Sequence, residues 1–265
     1  MFSRFQLAKK YLRYYLTASN GKGHGVHSPF VFDFVQHVLN DNRQFSTYQI
    51  VESLRKQMKN DEHLLEVQDM GAGSMVSASR QRKISDIARS AVKTKKFGQL
   101  LFRIVNYYRP RSILELGTSL GITTAYLALA NPKGSVITLE GASEVATIAR
   151  YNFEKLVIQN IRLEEGNFDV TLPKALESFD ILDFAFVDGN HRKEPTLIYF
   201  QSLLNKINNT SILIFDDIHW SAEMEEAWEL IKAHSLVTMS IDLFFIGIVF
   251  FRHEFKIKQH FIINF

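Results

Sequence analysis

Residues 113–128 read ILELGTSLGITTAYLA, and this stretch decides the fold of the chain. The apolar residues Ile113, Leu114 and Leu116 predict a short buried strand. The segment from Gly117 to Gly121 follows as a turn, because glycine adopts backbone angles that are closed to other residues. Beyond the turn, apolar residues recur at the spacing of an amphipathic helix, namely Ile122, Ala125, Tyr126 and Leu129.

A strand, a glycine turn and a helix in this order open a nucleotide-binding βαβ unit, in which a ligand meets the turn and the helix N-terminus. Thr118 or Ser119 is expected to cap the helix. Ser119 also occupies the place of the second glycine of the dinucleotide fingerprint, where the backbone touches a pyrophosphate. This difference disfavours NAD and FAD, and an ordinary βα turn without a ligand stays open as the alternative.

A second strand is predicted over residues 135–140, and it ends in Glu140. Glu140 lies roughly 20 residues beyond the glycine turn, where an acid in such folds holds the hydroxyls of a ribose. A third strand over residues 161–163 is followed by Asn167 and Phe168. The glycine turn and Glu140 therefore both lie where a nucleoside would contact them, and together they support a nucleoside-binding site.

The pattern E-x-G-x-x-x-G from Glu115 to Gly121 resembles motif I of class I S-adenosylmethionine (SAM) dependent methyltransferases. In that family the turn wraps the methionine part of the cofactor, and the loop after the third strand holds the adenine. The resemblance implies a set of cofactor-binding residues: Glu115, Gly117, Thr118, Ser119, Gly121, Thr123, Glu140, Gly141, Asn167, Phe168 and Asp188.

Acidic residues follow two further predicted strands. The strand over residues 180–187 is followed by Asp188, and the strand over residues 211–215 is followed by Asp216 and Asp217. Neighbouring parallel strands bring their carboxyl ends to one crevice, and three converging carboxylates raise one another's pKa. A divalent cation would relieve this repulsion, and oxygen ligands suit Mg²⁺.

Residues 111–233 look like the catechol O-methyltransferase-like branch of the same family. That branch binds a divalent cation through an Asp after the fourth strand and an Asp-Asn or Asp-Asp pair after the fifth. The resemblance therefore implies a metal site at Asp188, Asp216 and Asp217, with Asp188 also catalytic and His219 or His191 as the base. The chain departs from the branch in the sequence Asp188-Gly-Asn-His, and this difference leaves metal dependence open. The acids could instead cap helices, which is a second reason to leave it open.

The N-terminal region predicts a helical cap over residues 1–94, ahead of a SAM-binding domain over residues 95–265. In the first helix, one apolar face is expected to pack against the domain: Phe5, Ala8, Leu12 and Tyr15. A glycine and histidine loop at residues 21–30 and a glycine and serine loop at residues 69–79 interrupt this region. The second loop is expected to be flexible and to cover the site, whereas His27 in the first is most simply a polar loop residue.

Composition limits the cellular compartment and the partners expected of the protein. The 265 residues contain no Cys, which excludes disulfides and thiolate metal sites and is typical of a cytoplasmic protein. The longest apolar run, residues 243–251, is too short to span a membrane, and no signal peptide is predicted. Basic residues are concentrated in residues 1–32, which contain no acid, and in residues 75–98, which contain Asp86. These segments keep an RNA partner open, although such segments are more often solvated helix faces.

Together these patterns predict an α/β fold with a doubly wound, mostly parallel seven-stranded sheet that ends in an antiparallel hairpin, preceded by the helical cap. The function expected from the resemblance is SAM-dependent O-methyl transfer to the hydroxyl of a small molecule, with or without Mg²⁺. Three alternatives stay open: an RNA-directed methyltransferase that uses the basic cap, a non-catalytic binding protein on the same fold, and a nicotinamide enzyme. A homodimer also stays open.

Overall fold

The structure is a computed structural model that describes residues 1–19, 21–22, 27–67 and 81–265. The chain forms two compact units, one of Met1–Asp41 with Asp180–Phe265 and one of Asn42–Phe179. The helices are α1 (Arg4–Thr17), α2 (Pro29–Phe34) continued by a π-helical turn (Val35–Leu39), α3 (Ser46–Met58), α4 (Ile84–Ser90), α5 (Lys95–Tyr108), α6 (Ile122–Ala130), α7 (Ser143–Lys155), α8 (Phe168–Glu177), α9 (Lys193–Leu204) and α10 (Ala222–Ala233). The strands are β1 (Leu64–Glu66), β2 (Gln81–Lys83), β3 (Ser112–Leu116), β4 (Ser135–Glu140), β5 (Ile161–Glu165), β6 (Phe184–Val187), β7 (Ile212–Asp216), β8 (Met239–Asp242), β9 (Ile246–Phe250) and β10 (Gln259–Ile262).

In the unit of residues 42–179, β3, β4 and β5 pair side by side and in parallel. Four of the five residues of β3 are buried, because a parallel strand covered by helices is apolar on both faces. Helix α5 ends at Arg109, which adopts the left-handed conformation with φ 53° before Pro110. The predicted strand and helix on either side of the glycine turn are both present.

In the unit of residues 1–41 and 180–265, β6 and β7 are parallel and β9 runs antiparallel to β7. Strand β8 pairs antiparallel with β9, which confirms the predicted terminal hairpin. The eight-stranded sheet has the order β10-β8-β9-β7-β6-β3-β4-β5, so the predicted fold class is confirmed and the predicted number of seven strands is wrong. The additional strand is β10, which adds to the edge by pairing in parallel with β8.

The N-terminal helix α1 differs from the prediction in the face that it buries. Tyr14 is buried, whereas the predicted packing residues Phe5, Leu12 and Tyr15 are exposed. Both sides of this helix are rich in apolar residues, so periodicity alone chose the wrong one. The predicted boundary at residues 94 and 95 stays a prediction.

Two predicted loops fall partly or wholly on positions that the structure does not describe. Residues 23–26 of the glycine and histidine loop lie outside the described residues, and so do residues 68–80, which include the loop predicted to cover the site. His27 is described and is exposed. No helix in the described part of the chain is long and apolar enough to cross a bilayer.

Candidate active site

The glycine turn between β3 and α6 is built from three residues with positive φ. Gly117 has φ 98°, Ser119 has φ 49° and Gly121 has φ 77°. Gly121 is the N-cap of α6 and no side chain caps the helix, so the predicted capping by Thr118 or Ser119 is wrong. A Cβ at Gly121 would lie 2.5 Å from the Phe153 ring, so both the backbone angle and the packing require glycine there.

Glu140 ties this turn to the end of β4. Its Oε2 accepts a hydrogen bond from the Ser119 N–H at 2.7 Å, and its Oε1 accepts one from the Ala142 N–H at 2.9 Å. Burial raises the pKa of Glu140, and the backbone donors at Ala142, Ser119 and Gly141 act in the opposite direction. An ionised carboxylate offers about four acceptor positions, so this one retains capacity for further donors such as the two hydroxyls of a ribose.

Glu115 lies beneath the same turn and is fully buried. Its Oε2 accepts hydrogen bonds from the hydroxyls of Thr124 and Thr138, the latter at 2.7 Å. The Thr138 hydroxyl gives its proton to Glu115, so at the 2.6 Å contact between Thr118 and Thr138 it is Thr118 that donates. Burial raises the pKa of Glu115 to about 7, which is far above the usual value of 4.5.

Two polar atoms at this turn have no hydrogen-bond partner among the described residues: the hydroxyl of Ser119 and Oε1 of Glu115. Buried polar atoms are nearly always satisfied by protein, water or ligand. Ser119 also stands beside the N-terminus of α6, where the backbone N–H groups of the first turn attract acceptor groups. The turn therefore fits a polar ligand, and Thr123, in the first turn of α6, lies in the same segment.

Asn167 and Phe168, predicted to hold an adenine, lie where α8 begins. The Asn167 side chain accepts a hydrogen bond from the Asp169 N–H at 2.9 Å and caps this helix. Asn167 is exposed and Phe168 is half-buried. The capping bond occupies the amide oxygen, so a contact from Asn167 to an adenine would come from its amide NH₂. Their role in binding a base stays a prediction.

In the other unit, β6 and β7 bring three potential metal ligands together. Asp188, His191 and Asp216 each offer one ligand atom, and these atoms lie within 4.8 Å of one another. His191 Nε2 lies 3.5 Å from Asp188 Oδ1, and Asp216 is buried. The cluster contains two of the three predicted ligands, Asp188 and Asp216.

Asp217, the third predicted ligand, does not belong to that cluster among the described residues. Its backbone has φ 52°, and its N–H donates to the carbonyl of Phe245 at 2.7 Å. The third member of the cluster is His191 instead. The spacing Asp188-x-x-His191 is the sequence signal that could have found it, because this spacing places both residues in one loop after β6. Asn190 turns this loop with φ 62°, and its amide Nδ2 donates to the Tyr199 hydroxyl at 3.4 Å.

His219, the other predicted base, has both ring nitrogens at carboxylates. Nδ1 lies 2.9 Å from Glu225 Oε1, Nε2 lies 2.9 Å from Asp242 Oδ2, and the ring stacks on Phe244. Burial acts to lower the pKa of His219, but the hydrogen bonds and charges of Asp242 and Glu225 outweigh it and raise the pKa. This geometry stabilises an imidazolium and leaves no ring nitrogen to accept a proton, which argues against His219 as the base.

Comparison with known proteins identifies part of the chain as a methyltransferase domain. Residues 114–218 match the family model described as "Methyltransferase domain". The catechol O-methyltransferase of Mycobacterium tuberculosis is 25% identical over 151 residues, which are 55% of this chain and 64% of that protein. The catechol O-methyltransferase of Niastella koreensis is 31% identical over 126 residues, which are 46% of this chain and 55% of that protein. The chain thus spans less than two thirds of the length of either relative.

The fold is also that of a solved O-methyltransferase from Bacillus cereus in complex with SAH. The TM-score is 0.55 at 22% sequence identity, and the match covers 83% of this chain and 97% of that one. A likeness at this level of identity concerns the fold. With the family model and the relatives, it confirms the resemblance to class I SAM-dependent methyltransferases that the sequence indicated.

The buried position of Glu115 predicts a distinct dependence of stability on pH. Because its pKa is raised from 4.5 to about 7 in the folded protein, its stabilising contribution is complete below the unfolded value and is lost as pH rises through about 7. Glu115→Gln cannot ionise, so the free energy of unfolding of the wild type should fall relative to this variant by up to about 3 kcal/mol across that interval. Urea unfolding at a series of pH values measures the difference.

The matched control is Glu154→Gln, a substitution at an exposed position of α7. Its unfolding free energy should follow that of the wild type at every pH. Parallel pH profiles for the wild type and Glu115→Gln would contradict the account of this buried acid.

Proposed function

We propose that this chain, whose residues 114–218 are a class I methyltransferase domain, is a SAM-dependent enzyme that methylates a hydroxyl of a small molecule. The observation that carries the proposal is the Glu140 carboxylate. It fixes the glycine turn through Ser119 and retains acceptor capacity at the position where the fold family holds a ribose. The two similar proteins described as catechol O-methyltransferases support oxygen as the atom that receives the methyl group.

The residues of the turn fit SAM better than a dinucleotide. Ser119 takes the place of the glycine that a pyrophosphate needs, and its hydroxyl has no partner among the described residues. Glu140 would accept the ribose hydroxyls, while the backbone from Gly117 to Gly121 would lie along the methionine part. Glu115 would support the turn from the interior, because its bonds to Thr124 and Thr138 join α6 to β4.

The cluster of Asp188, His191 and Asp216 would activate the acceptor hydroxyl and take up its proton. Two carboxylates suit a divalent cation such as Mg²⁺, which would be held by Asp188 and Asp216 and would lower the pKa of a bound hydroxyl. We assign His191 the role of proton acceptor, with Asp188 at 3.5 Å to stabilise the imidazolium.

The reaction is an in-line displacement. Bound SAM would supply a methyl group on a positively charged sulfur, and the C–O bond to the acceptor oxygen would form as the C–S bond breaks. The hydroxyl proton would pass to His191 and the electron pair of the broken bond would stay on sulfur, so charge would balance. Most of the rate enhancement in such a transfer comes from aligning the two reactants, and the preorganised turn would contribute by holding the cofactor in one orientation.

The alternative of an RNA-directed methyltransferase gains little support from the basic segments. Several of their cations contact groups of the same chain: Lys10 pairs with Glu225, Lys83 pairs with Glu62, and Arg89 donates to the carbonyl of Lys59. Exposed charges paired in this way contribute less to an electrostatic footprint for a polyanion.

The role of Glu140 predicts that Glu140→Ala weakens SAM binding by about 10- to 100-fold, since two charge-assisted hydrogen bonds are lost. Isothermal titration calorimetry with SAM measures the change. Glu154→Ala, on the exposed face of α7, is the control and should bind as the wild type does. Unchanged affinity of Glu140→Ala would place the ribose elsewhere.

The acid cluster predicts which carboxylates hold a cation. Chelation should abolish turnover and Mg²⁺ or Mn²⁺ should restore it, and Asp216→Asn should weaken cation binding by about 10-fold or more. Asp217→Asn is the matched control, because Asp217 lies outside the cluster. Calorimetry with each metal gives the affinities. Activity that is indifferent to EDTA would remove the cation from the mechanism.

We expect substitutions of His191 and His219 to have different effects on catalysis and stability. His191→Gln should lower kcat by about 100-fold or more and leave SAM affinity and the melting temperature close to those of the wild type. His219→Gln should mainly lower the melting temperature, because it leaves Glu225 and Asp242 without their shared cation. Steady-state kinetics and thermal melts separate the two outcomes. Full activity of His191→Gln would refute its assignment as the base.

A further inference from the structure

Helix α1 is fixed to the unit of residues 1–41 and 180–265 by one of its faces. The buried hydroxyl of Tyr14 donates to the carbonyl of Ile263, near the end of the chain. Tyr11 packs edge-on against Phe244, with ring centroids 5.1 Å apart. Lys10 donates to both oxygens of Glu225 at 2.9 Å. The orientation of α1 on this unit is therefore set by buried and paired groups.

The start of α1 is also well defined. Ser3 and Gln6 form a capping box, in which each side chain accepts a hydrogen bond from the backbone of the other. The backbone N–H of Phe2 donates to the carbonyl of Trp220 at 3.1 Å. A helix that is capped and docked in this way presents its opposite face as a fixed surface.

That opposite face is apolar and exposed. Phe5 is 80% exposed, Leu12 57%, Tyr15 55% and Leu16 73%. Because residues three, four and seven apart share a helix face, these four side chains and the small Ala8 form one continuous stripe along α1, which we term the α1 stripe. A single exposed apolar residue needs no explanation, but a contiguous patch on a fixed helix indicates a binding surface.

Positive charge borders the α1 stripe. At 100° per residue, Lys9 and Arg13 follow Leu16 on one side and Arg4 lies on the other, and all three are exposed. Residues 1–32 contain no Asp or Glu, so no acid of this segment offsets these charges. Lys10, which points toward the body of the unit, is the cation of α1 that pairs with Glu225.

We propose that α1 binds the surface of an anionic phospholipid membrane, with the α1 stripe in the acyl boundary and Arg4, Lys9 and Arg13 at the lipid phosphates. An apolar face flanked by lysine and arginine is the pattern of helices that lie in the interface plane of a membrane. At 14 residues α1 is too short to span the bilayer, so the contact is peripheral. A second copy of the chain is a poorer occupant, because two α1 helices facing each other would bring together cations with no acid on the same segment.

The test is flotation of the full chain with vesicles of phosphatidylcholine, with and without phosphatidylglycerol. The wild type should float with the anionic vesicles, float weakly with the neutral ones, and lose binding as salt rises. The double variant Phe5→Ser with Leu12→Ser should lower the partition coefficient by about 10-fold or more, because both apolar side chains leave the interface. The double variant Lys9→Gln with Arg13→Gln should lower binding to anionic vesicles only.

The control is Ile198→Ser, an exposed apolar position on α9 in the same unit, which should bind vesicles as the wild type does. Thermal melts establish that each variant is folded. Equal binding by wild type and Phe5→Ser with Leu12→Ser would refute the proposal, as would absence of binding to anionic vesicles. If light scattering showed a wild-type dimer that Phe5→Ser with Leu12→Ser dissociates, and vesicles were not bound, the α1 stripe would be assigned to a second copy of the chain instead.

Discussion

The carboxylate of Glu140 is the constraint on which the candidate cofactor site depends. Burying an ionised acid is costly unless hydrogen bonds compensate, and here the backbone N–H groups of Ser119 and Ala142 provide them. One side chain thereby joins the glycine turn after β3 to the segment after β4. The turn is held in a strained conformation before any ligand arrives, and such preorganisation lowers the ordering cost of binding.

A second acid supports the same turn from inside the unit. Glu115 joins Thr124 of α6 to Thr138 of β4, and Thr118 extends this network into the turn. The two acids therefore differ in what they connect although both are partly or wholly buried: Glu140 bonds backbone N–H groups of the turn and of the segment after β4, and Glu115 connects a helix and a strand.

The sequence predicted those parts of the protein that depend on local pattern. The strand and helix around Gly117 and Gly121 and the terminal hairpin of β8 and β9 follow from hydrophobic period and turn residues. Asp188 and Asp216 could be paired in advance because parallel strands end at one edge.

Other features depend on tertiary contacts that no local pattern encodes. The Thr118 hydroxyl bonds to Thr138 and does not cap α6, and the ring nitrogens of His219 contact Glu225 and Asp242. Helix α1 has two apolar sides, and the contacts of Tyr14, Tyr11 and Lys10 determine which one is buried. In each case a partner distant in sequence decides the outcome.

Under the proposed function, the turn held by Glu140 would receive the nucleoside of SAM. The most direct test is a crystal structure of the protein grown with S-adenosylhomocysteine. The account predicts that both ribose hydroxyls lie within hydrogen-bonding distance of the Glu140 carboxylate while its bond to the Ser119 N–H persists. A nucleoside bound elsewhere, or a Glu140 carboxylate that contacts only backbone, would contradict it.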